Sequence, residues 1–431
     1  KVLPFEEHFF ALPSDLQVNV VAYLCVPDIL KLRQVSKNWL QFITVNETPI
    51  SRAFLEHNRI PRFAVDLYPL PAPSELDLYY ISELWRRLSV TSKLSTLLTD
   101  WITTDIFLRN NETQQLEFSP QRARIRRRLI PIIFTIAHFF ETYRRLHLRH
   151  VLENGCPLLP ENYIINPIER HIMKLYDNET LLQVHQFFPF LLSYLSRKLR
   201  PPSYFGRLER SLHGYSWSSL PPPVLVGILC IGGMKEVTRI SKIESYDSRR
   251  MAVDDWYSAM FQQPIDYAHE TYHWPLGLSQ KKSKHPSSGA APNSHLNQTC
   301  NTPTARNASN DGPGDTKDLK GKGKQKASAS SLSVARTQRL SAEHARALLK
   351  DLPTLEQIWV PTAEALLLAR RAIERWQDIK RNGQAMDELI LDEFTAADEL
   401  FYGCAEPSFD PSNVKRGWGD LLDGDGQEMG R

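Results

Sequence analysis

Between Leu12 and Ile43 the apolar residues fall at helical intervals. Leu16, Val20 and Leu24 recur at four-residue steps, and Leu32, Val35, Trp39 and Ile43 continue an apolar stripe through a second and a third helix. Ser14 is placed to cap the first helix, Pro27 to break it and Asp28 to cap the next. From Ser74, a second cap candidate with Asp77 in the first turn, to about Trp101, Leu76, Tyr80, Leu84 and Leu88 and then Leu94, Leu97, Leu98 and Trp101 trace one helical face. Further helices are predicted at Arg122 to His150, Pro167 to Tyr176 and Glu179 to Arg200, with loops at Gly155, Pro157, Pro160 and Asn178. The run "VLVGILCIGG" from Val224 reads equally as a short strand or as the start of a buried helix. Ser341 caps another helix. Thr362 begins one with Leu366, Ala369, Ile373, Trp376 and Ile379 on a face, and Met386, Ile390, Phe394, Ala397 and Phe401 mark a last one with acidic flanks. The pattern is that of a mainly α chain.

Composition changes this picture at one place. Between Lys281 and about Arg336 the chain turns to Ser, Gly, Asn, Thr, Pro and Lys without aromatics, which predicts a disordered basic linker that cannot bury enough apolar surface to offset its ordering entropy. Over the whole chain, 42% hydrophobic and 23% charged residues suffice for a packed core. The apolar runs Leu129 to Phe140, Leu181 to Leu195 and Val224 to Ile231 fall short of the roughly 18–20 residues of a membrane-spanning helix. Cys25, Cys156, Cys230, Cys300 and Cys404 are scattered singly, which argues against a disulfide framework or a zinc ribbon and for a reducing compartment, cytoplasm or nucleus. The opening "KVLPFEEHFF" lacks a signal-peptide apolar run, and the missing initiator Met points to a trimmed start.

Candidate chemistry is sparse. "HETYH" at His269 to His273 matches the H-E-x-x-H zinc motif, the remote alternative of a zinc hydrolase, but Pro264 and Pro275 bracket it and no Glu follows before Lys320 to supply a third ligand. "GILCIGGMK" has Gly233 where a phosphate-binding loop needs its lysine. His147 and His150, beside Arg144, Arg145 and Arg149, read as a solvated helix face, as does "RARIRRR" from Arg122 to Arg128. A net charge of +3 supplies no global field for nucleic acid. Lysines at 281, 282 and 284 and from Lys320 to Lys326 suit a nuclear signal at most. No metal site, cofactor or catalytic residue is expected.

The order Leu12-Pro13, apolar helix, Asp28, Leu30, Leu32, Val35-Ser36-Lys37, Trp39 and a closing Ile43 resembles an F-box, with Asp15 where Glu is commoner and Val20-Val21 in place of an isoleucine-rich pair. The resemblance covers about Phe9 to Asn58, and the wider likeness is to fungal F-box proteins. It implies a three-helix unit that docks on the Skp adaptor of an SCF ubiquitin ligase, and through it on a cullin–RING assembly. The chain would then be a non-catalytic receptor that presents an unidentified protein substrate, or alternatively a Skp-bound scaffold acting outside ubiquitylation. The adaptor-binding residues it implies are Leu12, Pro13, Leu16, Val20, Leu24, Asp28, Leu30, Leu32, Val35 and Trp39. A bundle that keeps Leu12, Pro13, Leu16, Leu24 and Leu30 partly outside its own core would offer an apolar patch for a partner to cover. The expected organisation is an F-box domain at 9–58, a helical substrate-binding domain at 59–276, a linker at 277–339, C-terminal helices at 340–403 and an acidic tail at 404–431.

Overall fold

Helices account for all regular structure among the described residues of the computed structural model, which are 5–58, 60–154, 158, 165–200, 220–265, 340–375 and 379. The expected linker, the HETYH stretch, the last predicted helix and the acidic tail lie outside these residues. Five short helices come first: α1 (Phe5–Phe10), α2 (Ser14–Ala22), α3 (Val26–Val35), α4 (Lys37–Val45) and α5 (Glu47–His57). α6 (Arg62–Leu67) leads to the 24-residue α7 (Leu78–Trp101), followed by α8 (Glu112–Glu117) and the 36-residue α9 (Ser119–Asn154). Then come α10 (Pro167–Met173), α11 (Asn178–Leu199), α12 (Pro222–Gly227), α13 (Gly233–Lys242) and α14 (Tyr246–Phe261), and finally α15 (Ala342–Asp351) and α16 (Val360–Ala369).

Several starts and stops differ from the periodicity. Ser14 is the first residue of α2, whose cap position is held by Pro13, so its hydroxyl caps nothing. Pro27 sits in the first turn of α3, where its missing N–H costs nothing, and Cys25 occupies the cap, with Asp28 three residues inside. α7 begins at Leu78, because the Asp77 carboxylate accepts the Tyr80 N–H at 2.8 Å, and Ser74 stays outside. "VLVGILCIGG" is helical, with a π-helical segment at Ile228–Gly232 ending on Gly233, whose φ of 66° and ψ of −170° only glycine adopts readily. The stripe predicted from Thr362 belongs to a helix that starts at Val360 and stops at Ala369. Ala372 N–H reaches Leu367 O and Arg371 N–H reaches Leu368 O while Arg371 turns left-handed, a Schellman closure with arginine at glycine's usual position.

Two cores share α7. Its first half (Leu78, Tyr80, Ile81, Leu84, Leu88) packs with Phe9, Val18, Val21, Ile29, Trp39, Ile43, Ile50 and Phe54 of the leading helices. Its second half (Leu94, Leu98, Trp101) joins Ile133, Phe139, Phe140, Leu181, Phe188 and Ile228 from α9, α11 and the π-helical segment. Glu47 at the start of α5 accepts the Leu78 N–H at 3.0 Å and so holds the head of α7 against the leading bundle.

A partly buried polar cluster ties α7 to α9 beside this junction. Arg87 donates to both carboxylate oxygens of Glu141 at 2.9 and 2.6 Å and lies 4.4 Å over the Tyr68 ring, while the Tyr68 hydroxyl donates to Glu141 at 3.0 Å. Burial opposes the Glu141 charge, but Arg87 overcomes it and holds the carboxyl down at about 2. His138 lies 2.8 Å from the Tyr176 hydroxyl, and burial pushes its imidazole down to about 4. His147 overturns the expectation of a solvated face. It is fully buried, with no hydrogen-bond partner at either ring nitrogen, and burial, helped by the nearby His150, brings it down to about 4 as well.

The C-terminal segment runs back onto the second core. Ser341 caps α15 by accepting the His344 N–H, and Ala345 and Leu348 form a small cluster with Ile231 and Phe261. Trp359, just before α16, is fully buried, and its backbone N–H reaches Glu169 of α10 at 3.3 Å. Burial pushes the Glu169 carboxyl up to about 7, against hydrogen bonds from Thr362 and the Trp359 amide that favour its charge. The folded chain therefore holds an extra proton between about pH 4.5, the ordinary value, and 7, and its stability falls as pH rises through that window. Glu169→Gln should remove this loss. At about 1.4 kcal/mol per pKa unit, the gain at pH 8 is at most roughly 3 kcal/mol. Melting temperatures at pH 5 and 8 should show the variant ahead of the native chain only at the higher pH. His138 and His147 act in the opposite direction, destabilising the fold as pH falls below about 6.5, but they do so equally in both proteins.

Candidate functional site

The leading bundle is built around aromatic packing. Phe9 lies 4.5 Å from the Trp39 ring and 5.7 Å from Phe42, and Phe10 lies 5.2 and 5.9 Å from the same two rings, which clamps α1 onto α4. Polar bonds fix the same contact. The Ser36 hydroxyl caps α4 by accepting the Trp39 N–H and donates to Glu6 of α1 at 2.9 Å, and Asn38 donates to Glu6 at 3.1 Å. Gln17, buried on α2, donates to the carbonyls of Phe10 and Leu12 and so sets the turn that carries Leu12 and Pro13.

With the bundle held this way, α2 has two unlike sides. Gln17, Val18, Val21 and Ala22 face the core, while Leu16, Val20 and Tyr23, three to four residues apart, share the outer side. The periodic stripe read from the sequence is thus the outward one. Leu16 is 50% exposed and Val20 47%, and Leu12 and Pro13 are also exposed just before the helix. A helix of nine residues whose exposed side is this apolar gives up solvation for nothing within its own chain.

The other residues implied by the resemblance take different positions. Leu24, Asp28, Leu30 and Leu32 are half-buried, and Val35 is exposed at the end of α3. Asp28 accepts the Cys25 thiol hydrogen at 2.8 Å and lies 3.6 Å from Lys31; burial and this carboxylate push the Cys25 thiol up to about 11, so it stays a thiol. Trp39 is buried in the aromatic clamp and reaches the surface only through the helices it holds. Tyr23, Leu40 and Val45 are exposed apolar side chains that the sequence reading did not single out. On α4 the signal was present: with Trp39, Phe42 and Ile43 inward, the helical period places Leu40 outside. An open groove of about 650 Å³ runs between α1 and α4, lined by Glu6, Phe10, Asn38, Phe42 and Val45 among others.

Among the described residues no set of three His, Cys, Asp or Glu side chains could hold a metal ion, and no helix is long and apolar enough to cross a membrane. The arrangement is a rigid bundle with an unpartnered apolar face. A family model for the F-box domain matches residues 9–48, which span the end of α1, all of α2 to α4 and the start of α5. No curated protein and no solved structure matches the chain.

Proposed function

We propose that this F-box protein docks on the Skp adaptor through the exposed side of α2 and the turn before it, and that the helices behind hold a protein substrate for ubiquitylation. The observation that carries the reading is the outward Leu12–Pro13–Leu16–Val20 surface on a bundle already satisfied internally by Trp39, Phe42, Ile43 and Ile50. Aliphatic anchors of this kind suit a groove on a partner, where each is desolvated fully on binding. The half-buried Leu24, Leu30 and Leu32 border the exposed residues along the chain, and Val35 is a further exposed apolar residue at the end of α3. Trp39 is a positioning residue that fixes α1 and α4.

In such an assembly the chain contributes proximity. It raises the effective concentration of a bound substrate near a ubiquitin-loaded enzyme and needs no nucleophile, metal or cofactor of its own. A reducing compartment, cytoplasm or nucleus, is the setting this function requires.

The test is the double substitution Leu12→Ala with Pro13→Ala. Both residues are exposed, so unfolding should shift by no more than about 0.5 kcal/mol. Adaptor affinity should fall more than about 30-fold if these are binding hot spots. Co-purification with the adaptor at wild-type yield, in a variant of unchanged melting temperature, overturns the assignment.

A further inference from the structure

The most unusual seat in the molecule is that of Trp359. It is reached only after residues 266–339 have intervened in the sequence, yet its ring is fully buried in the second core. Phe139 meets it edge-on at 4.8 Å, and Phe188 and Tyr176 lie nearly parallel at 5.8 and 6.3 Å. Ile358 beside it is equally buried. Polar contacts reach both side chains and backbone: Thr362 hydrogen-bonds Glu169, and Glu364 lies 3.4 Å from His185. Glu169 accepts the Trp359 N–H, and Arg370 closes the far end by donating to the carbonyls of Met173 and Tyr176, at the C-terminal end of α10. Aromatic walls, a buried acceptor for one amide and carbonyls at the end of α10 form a slot for a turn and short helix that carry one large ring.

The occupant does not fit this slot without cost. Trp359 has φ 72° and ψ −59°, and Val360 N–H bonds back to Ile358 O at 2.9 Å. This is the rare γ-turn of positive φ, which a bulky side chain adopts only under strain. Its indole N–H is buried without a hydrogen-bond partner. Strain and an orphan donor at one buried residue mark a contact that holds by position in the chain more than by perfect complementarity. A segment joined to the body by a long intervening stretch is held at high effective concentration even when its own affinity is modest.

We propose that this slot is a peptide-binding site, that Thr354–Arg370 fills it in cis, and that a partner segment carrying an aromatic residue between aliphatic ones displaces it. The inference rests on the proposed receptor function only in taking the ligand to be part of a bound protein. The exchange itself involves no adaptor, so its failure and the failure of adaptor docking are read separately.

The probe is a fluorescent peptide of residues Thr354 to Arg370, added to the full-length native chain, to Arg370→Ala and to Trp359→Ala, with folding of each followed by circular dichroism. Arg370→Ala removes the closing cation and spares the aromatic core, so it serves where Trp359→Ala does not fold. Anisotropy should show Arg370→Ala binding the peptide at least about tenfold more tightly than the native chain does, because the competing segment is weakened. A peptide with alanine in place of the tryptophan should lose at least about tenfold in affinity for the same variant, as expected for an aromatic anchor. No uptake by folded Arg370→Ala overturns the proposal and makes the segment permanent core. Conversion of Arg370→Ala to a dimer without peptide uptake also overturns it, in favour of exchange of this segment between two copies of the chain.

Discussion

Arg87→Ala is expected to lower the free energy of unfolding by up to about 3 kcal/mol, the cost of leaving a half-buried carboxylate without its counter-ion. The guanidinium is 8% exposed and makes a two-pronged contact with Glu141 while lying over Tyr68. Removing it strands Glu141, whose remaining contact with the Tyr68 hydroxyl cannot balance the loss of solvation. The pH dependence supplies an independent check. In the native chain Glu141 titrates far below the ordinary carboxylate value, so the pair stabilises the fold above about pH 4.5 and loses that effect as pH falls toward 2. Arg87→Ala should show its full deficit near pH 7 and a smaller one near pH 4, measured by denaturant unfolding. Combining Arg87→Met with Glu141→Leu should recover most of the stability, since apolar side chains of similar size replace buried ion pairs at little cost. A double variant as unstable as the single one would show that the ion pair is needed for more than satisfying its own charges.

Trp39→Ala is expected to cost a further class of stability, about 3–5 kcal/mol for the loss of a buried indole. The effect should concentrate in the leading bundle. Trp39 stands between Phe9 and Phe10 of α1 and Phe42 of its own helix, with Ser36 capping α4 by accepting the Trp39 amide. Without the indole, α1 loses its main aromatic contact, and the bond from Ser36 to Glu6 cannot hold it alone. Hydrogen exchange should show α1 and α4 opening while α9 and α11, which belong to the other core, keep their protection. Adaptor binding should weaken in the same variant, and stabilising osmolyte should partly restore it. Loss of binding with unchanged exchange in α1 and α4 would instead make Trp39 a contact residue.

These two cases differ in how far they could be read from the chain. Trp39 belongs to an apolar stripe, and helical spacing was enough to identify it as one of a set of residues sharing a face. Spacing did not say which face. Leu16, Val20 and Leu24 have the same periodicity as a core stripe, and the structure turns Leu16 and Val20 outward because Val18, Val21 and Ala22, one to two residues away, fill the interior. The Arg87–Glu141 pair was not legible at all. Its members are 54 residues apart on two helices, and nothing local to either distinguishes a buried charge from a solvated one. His147 misled for the same reason: arginine neighbours suggested water, but the packing of α9 puts the ring inside.

Helix ends show the same division. Where a cap is local, as at Ser341, which accepts the His344 N–H, the residue type points to the right place. Where two candidates compete, as Ser74 and Asp77 do, the outcome follows from which lets the first turn meet Glu47 of another helix. The stop at Arg371 uses a left-handed residue that composition would not select, because Arg370 just before it is anchored to α10.

Periodicity, capping residues and the Leu-Pro to Trp-Ile order were thus sufficient for a mainly helical chain that opens with an F-box, since these depend on neighbours three or four positions away. The outward side of α2, the helix shared by two cores, the partly buried Arg87–Glu141 pair and the seat of Trp359 depend on residues tens to hundreds of positions apart. They exist only once the helices have packed, because burial and charge pairing are set by what arrives from elsewhere in the chain.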